Sequence, residues 1–157
     1  MLLVDKQIRQ LCIGVGLDKG MIDPFSEATK GGGVISYGLT SAGYDLRLAP
    51  EILLYRNQHG MTITDPKKFS DLTYQNEIFL KRENSGNTFI LPPNSYCLGR
   101  SLEYLRIPQH LKGRCTGKST LARAGILINT TPIEPEWEGH LTIEIGNVTP
   151  CPAVLYI

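Results

Sequence analysis

The chain has 157 residues, 41% of them apolar and 20% charged, with a formal net charge of +1. That length and composition suit one globular domain, residues 1–157, and exclude a disordered chain. The near-zero charge excludes attachment to nucleic acid or to a membrane surface by bulk electrostatics, and no apolar run reaches the length of a transmembrane helix.

Residues 2–17 place Leu3, Ile8, Leu11, Cys12 and Val15 at helical spacing and predict one N-terminal helix, weakened at its end by Gly14 and Gly16. Asp23-Pro24 begins a break, and the glycine run at 31–33 reads as a turn or loop. Neither the P-loop nor the dinucleotide glycine spacing is present there, so the run is not read as a phosphate loop. Next, Tyr44, Leu46 and Leu48 alternate with Asp45 and Arg47, a strand pattern in which Asp45 and Arg47 read as a structural pair. Residues 57–88 read as a mostly polar surface excursion with turns at Asp65-Pro66 and Ser85-Gly86. Beyond them, short apolar runs broken by Pro92-Pro93 and Gly99 continue the pattern. Many short strands punctuated by Gly and Pro, with one good helix, predict a mainly β fold of distorted barrel or jelly-roll type.

The four cysteines, Cys12, Cys97, Cys115 and Cys151, form no CxxC pair. They read as reduced thiols, which points to a cytoplasmic location, and no signal peptide is visible at the N-terminus. Zinc-dependent deaminases need an H-x-E element and a P-C-x-x-C element. None of His59, His110 and His140 lies in an H-x-E, and Pro150-Cys151 is followed by Pro152 and Ala153. A zinc-activated water is therefore not expected, and no residue is assigned as a metal ligand.

The chemistry concentrates between Gly113 and Asn147. Gly117, Lys118, Ser119, Thr120 and Arg123 combine a turn glycine, two hydroxyls and two cations, which together can satisfy the oxygens of a triphosphate. A short helix capped by Ser119 or Thr120, with a solvated basic face, accounts for the same residues. An apolar strand follows, then a Pro-rich acidic turn in which Trp137 reads as core. In the last strand Leu141, Ile143 and Ile145 share one face, and His140, Thr142 and Glu144 share the other. Glutamate is disfavoured in strands, so Glu144 is either a base held for chemistry or one half of a cross-sheet pair with an arginine.

GKSTLARAG and NTTPIEPEWEGHLTIEIGN, supported by SYGLTSAGYDLRL and LPPNSYCLGRSLEYLRIP, resemble the dCTP deaminases, the zinc-independent branch of the trimeric dUTPase superfamily. The resemblance covers nearly the whole chain. It implies hydrolytic deamination of dCTP to dUTP and ammonia, feeding dUMP and dTTP synthesis, with Glu144 as the general base and then acid. It assigns nucleotide binding to Lys118, Ser119, Thr120, Leu121, Ala122, Arg123, Thr142 and Ile143. Mg²⁺ is then carried in on the triphosphate, and active sites lie between the subunits of a homotrimer that binds dCTP and dUTP. Thr131-Pro132 marks the branch with T-P-x-E-P-E-W, lacking a His-Arg pair found before this turn in other members. A dUTPase, whose catalytic aspartate would fall nearer Glu134, or a bifunctional enzyme is the alternative. Members usually continue past a strand like Pro152–Ile157 into an arm that closes over the nucleotide, so a catalytically incomplete regulatory protein is a third reading.

Overall fold

The alternation in SYCLGRSLEYLR builds the longest strand. A computed structural model describes residues 2–14, 19–27, 35–55, 67, 74–76, 80–82 and 86–157, and in it strand β8 runs over Ser95–Arg106. Every second residue of it from Cys97 to Leu105 is buried. The inward set includes two polar residues, Ser101 and Glu103, each 0% exposed. By internal contacts the chain divides into two compact units, each assembled from separated segments.

The first unit comprises residues 1–48, 101–115 and 131–141. Helix α1 covers Asp5–Ile13, with Val4 as its cap and the Gln7 side chain accepting the Val4 N–H at 3.0 Å. It is shorter than the span 2–17 expected from spacing, because Gly14 leaves the helix in an extended conformation. Ile8 and Cys12 bury one face of α1 against Met21, Ile22, Leu39, Leu105, Ile133 and Leu141, with Tyr44, Leu46 and Trp137 packed around them. Strand β1 (Ile22–Asp23) pairs with the second half of β8, Ile22 opposite Leu105, and β2 (Gly38–Thr40) forms a hairpin with β3 (Gly43–Asp45).

The pairing expected between Asp45 and Arg47 is not found. Arg47 reaches across to buried Glu103 instead: its Nε donates to one carboxylate oxygen at 2.7 Å and its backbone N–H to the other at 2.9 Å. Asp45 accepts a bond from Ser36 at 3.4 Å. Residues two apart in a strand share a face, but a guanidinium gains more from a desolvated carboxylate with both oxygens to satisfy than from a half-exposed neighbour.

The second unit comprises residues 49–100, 116–130 and 142–157. Strands β4 (Leu53–Tyr55), β5 (Tyr74–Asn76), β9 (Ile126–Asn129) and β10 (Glu138–Asn147) join β8 in the order β5-β4-β8-β10-β9. A second sheet orders β11 (Ala153–Tyr156), β7 (Gly86–Leu91) and β6 (Leu80–Arg82) as β11-β7-β6, Leu155 lying opposite Phe89. Its buried apolar residues include Ala49, Ile52, Leu54, Phe89, Leu91, Cys97, Ile126, Ile143, Ile145 and Leu155, the larger of them, leucine, isoleucine and phenylalanine, each contributing about 1.5–3 kcal/mol of transfer free energy if fully withdrawn from water.

The fold is mainly β, as expected, and its strands pair into separate six-, three- and two-stranded sheets rather than one closed barrel among the described residues. The glycine run at 31–33, the turn at Asp65-Pro66 and most of the polar excursion lie outside the described residues, as does Ser85, while Gly86 opens β7.

Candidate functional site

Three pieces of the second unit carry the residues singled out above. The loop ending at Lys118 comes first. A Cβ on Gly117 would stand 2.9 Å from the Ile128 Cβ, so only glycine lets the loop lie this close to β9. Helix α2 (Ser119–Arg123) follows, and its cap is Lys118, which caps through its backbone alone. The Leu121 and Ala122 N–H groups donate to the Lys118 carbonyl at 3.0 and 3.1 Å. The cap expected at Ser119 or Thr120 is thus one residue too late. Both hydroxyl residues sit inside the first turn, exposed to solvent, where their oxygens are left for other partners.

Arg123 folds back along this single turn. Its Nε donates to the Ser119 carbonyl at 3.3 Å and its Nη2 to the Ser119 hydroxyl at 3.5 Å. Both bonds are long and exposed, and among the described residues Arg123 has no carboxylate partner. Lys118 and Leu121 are half-buried and Ala122 is exposed.

Strand β10 supplies the carboxylate. Leu141, Ile143, Ile145 and Asn147 face inward, and Thr142, Glu144 and Gly146 face outward, the alternation read from the sequence. Ile143 is 8% exposed, so its main chain, not its side chain, is what a ligand can reach. The antiparallel register sets Asn129 of β9 directly opposite Glu144, and Ile128 opposite Ile145. Directly opposed side chains share a face with their Cβ atoms about 5 Å apart, and the Asn129 amide donates to Glu144 Oε2. Among the described residues Glu144 Oε1 carries no hydrogen bond and Glu144 has no ion-pair partner. The arginine pairing that would have made it structural is not there.

The residues therefore form two clusters within the unit, Glu144 with Asn129 and Arg123 with Ser119. Among the described residues no hydrogen bond or ion pair joins them. What sequence reasoning missed is the Asn129 side chain, whose amide meets Glu144. Its signal is a register: it terminates the apolar strand whose antiparallel partner carries Glu144.

The acidic turn belongs to the first unit. Gly113 and Ile133 exchange both backbone bonds at 2.8 and 3.0 Å, and the Ile107 N–H donates to the Trp137 carbonyl at 2.9 Å. Trp137 packs against the first unit's core, as expected. Glu134 is exposed and pairs with Lys112 at 3.0 Å. Among the described residues no group of three or more His, Cys, Asp or Glu is placed to hold a metal ion. No described helix is long and apolar enough to cross a membrane.

A family model described as dCTP deaminase-like matches residues 2–157. A dCTP deaminase of Granulibacter bethesdensis is 46% identical over 155 residues, 99% of this chain and 78% of that protein. One from Rhodospirillum centenum is 50% identical over 138 residues, covering 88% of this chain and 71% of that protein. The crystal structure of 2'-deoxycytidine 5'-triphosphate deaminase from Agrobacterium tumefaciens superposes with a TM-score of 0.64 at 19% identity. It covers 99% of this chain, which spans 44% of that one, and at this identity the likeness is one of fold.

Proposed function

The chain belongs to the dCTP deaminase-like family, and from that premise we propose that it converts dCTP and water to dUTP and ammonia. The observation that carries the reading is Glu144: an outward-facing, half-buried carboxylate on the polar face of β10, held by the Asn129 amide and, among the described residues, paired with no cation. Such a group is oriented yet free to accept a proton. In the reaction it takes a proton from water as the oxygen attacks C4 of cytosine. It passes that proton to ring N3, then takes the second proton from the C4 hydroxyl and delivers it to the departing amine, so that one carboxylate serves as base and then acid. Asn129 holds Oε2 and leaves Oε1 for the water.

Ser119, Thr120, Lys118 and Arg123 bind the triphosphate. The segment from Thr116 to Ala124 contains no carboxylate, so its chemistry suits phosphate oxygens directly, and Mg²⁺ enters with the nucleotide as part of the substrate. Leu121, Ala122 and the Thr142–Ile143 main chain complete the pocket wall. Zinc has no place in this scheme, because the elements that hold it in zinc deaminases are missing from the sequence. The four free thiols fit a reducing, cytoplasmic compartment.

The chain assembles as a homotrimer whose sites lie between subunits. Two features support this: Glu144 and the Arg123–Ser119 pair are not bonded to each other. Leu127, 52% exposed, shares the outward face with Glu144 through its register with Gly146. Arg123→Ala and Glu144→Gln chains, each impaired, should then partly complement each other when mixed and reassembled, with activity above that of either alone; a fully active monomer in light scattering would refute the assembly.

The deciding experiment incubates the purified chain with dCTP and with dUTP and identifies the products by chromatography. dUTP formed from dCTP without pyrophosphate is the expected result. dUMP and pyrophosphate as main products would move the chain to the dUTPase or bifunctional class, and binding without turnover would make it a regulatory protein.

A further inference from the structure

Past Glu144, the end of β10 carries a polar knot that the deamination chemistry does not use. Asn147 is 1% exposed. Its amide donates to the carbonyls of Leu91, Pro92 and Cys151 at 3.3, 2.9 and 2.8 Å. Its own carbonyl accepts the Thr149 N–H at 3.1 Å and the Thr149 hydroxyl at 2.8 Å. Every polar atom of this side chain is spent on the chain itself, so Asn147 fixes backbone rather than ligand.

What it fixes is Thr149, and Thr149 reaches α2. Gly125 follows the helix at φ 73, where a Cβ would lie 2.1 Å from the Thr149 Cγ2. The methyl of Thr149 therefore occupies the space that a side chain at 125 would need. The Gly125 N–H closes α2 on the Ala122 carbonyl at 3.0 Å, and its own carbonyl accepts the Val148 N–H at 3.1 Å. Gly125 is gripped from both sides, two residues beyond Arg123.

We propose that Thr149, held by Asn147, is a positioning residue for α2: its methyl contact with Gly125 sets the direction in which Ser119 and Arg123 face the triphosphate. This rests on the reading of that segment as the phosphate site. A five-residue helix cannot hold its own orientation, so its direction must come from what packs on its ends. Gly117 on Ile128 secures the start and Thr149 on Gly125 the finish.

Two substitutions separate this from a purely structural knot. Thr149→Ser keeps the hydroxyl and its bonds to Asn147 and Cys151 but deletes the methyl. Thr149→Val keeps the methyl and deletes the hydroxyl. Equilibrium dialysis with dCTP and with inorganic tripolyphosphate, alongside thermal unfolding, reads both effects on the full chain. Thr149→Ser should weaken both ligands together by roughly 3- to 10-fold, the scale expected for one lost packing methyl, with kcat for dCTP changed less than twofold. Thr149→Val should lower the unfolding midpoint while keeping parental affinity. If Thr149→Ser binds both ligands as the parent does, the positioning role is refuted and the function stands. If the parent itself binds neither ligand, the phosphate-site reading fails and this inference falls with it.

Discussion

Removing the Asn129 amide tests whether Glu144 is a base held in place. Hydrogen bonds to charged groups contribute about 1.5–3 kcal/mol. Asn129 is exposed, so the lower end applies, and about 1.4 kcal/mol of lost orientation slows turnover roughly tenfold. Glu144→Gln isolates the proton itself, because the glutamine carbonyl still accepts the Asn129 bond while the side chain no longer takes a proton from water. Its turnover should fall about 10²–10⁴-fold, the usual span for general acid–base catalysis. Asn129 acts through Glu144, so the Asn129→Ala, Glu144→Gln double variant should be no slower than Glu144→Gln alone. The assay is ammonia release from dCTP at saturating nucleotide, with the Kd for dCTP measured in parallel and expected to change little. A double variant slower than Glu144→Gln by the full Asn129→Ala factor would show that Asn129 acts on the substrate by itself. Retention of turnover to within tenfold in Glu144→Gln would remove Glu144 from the chemistry altogether.

Three further outcomes follow from the same structure. Arg123→Ala gives up only two long, exposed bonds to Ser119, so the unfolding midpoint should hold to within about 2 °C while the KM for dCTP rises about tenfold or more; an unchanged KM would exclude Arg123 from the phosphate site. Glu103→Ala leaves the Arg47 guanidinium and N–H without their carboxylate. Arg47 is 29% exposed, so the loss belongs at the low end for a broken buried pair, about 3 kcal/mol, or roughly 6–12 °C in a calorimetric midpoint; a shift under 2 °C would contradict it. Burial pushes the Cys97 thiol up to about 12, so the folded chain keeps it protonated while the unfolded chain ionises it near 9. Stability is then complete below pH 9 and is lost as pH rises toward 12, by at most about 1.4 kcal/mol per pH unit for this group. Urea titrations of Cys97→Ala across pH 8–11 should show a shallower decline, and an equal slope would show that other groups dominate.

The legible parts were those whose cause is local. The alternation Leu141, Ile143, Ile145 against Thr142 and Glu144 survives intact in β10, because period-two burial is a property of the strand alone. The helical stripe Ile8, Leu11, Cys12 likewise forms α1, and both its ends moved inward: it starts at Asp5, with Val4 as cap, and stops where Gly14 turned extended. What was illegible depends on partners distant in sequence. Arg47 sits two residues from Asp45 yet binds Glu103, 56 positions away, and the strand pattern gives no sign that Ser101 and Glu103 are the inward residues of β8. What the Asn129 and Asn147 side chains do became visible only once the β9–β10 register set Asn129 opposite Glu144 and Asn147 opposite Ile126. The α2 cap failed for a smaller reason. Side-chain capping is a preference among hydroxyl residues, and here Lys118 does the work through its backbone, so the Ser119 and Thr120 hydroxyls are not spent on the helix's own N–H groups.

That last detail bears on how the site meets its substrate. A side-chain cap would have spent a hydroxyl on the helix's own N–H groups, and an acidic neighbour would have neutralised Arg123. Neither occurs among the described residues. The bonds Arg123 does make, at 3.3 and 3.5 Å to Ser119, lie at the weak end of hydrogen bonding and in water, so a phosphate oxygen can displace them at a cost well below what a charge-assisted bond returns. Glu144 is arranged on the opposite principle. Its one bond, from Asn129, is to the oxygen that need not react, so it can persist through catalysis and hold the carboxylate while Oε1 exchanges its proton. On the function proposed above, the Arg123–Ser119 cluster would be rearranged by the ligand, whereas the Glu144–Asn129 cluster would stay as it is. Confusing the two roles by exchange, with an acidic residue beside Arg123 or a cation beside Glu144, would disable each for a different reason: the first by competing with phosphate, the second by lowering the basicity that water activation requires.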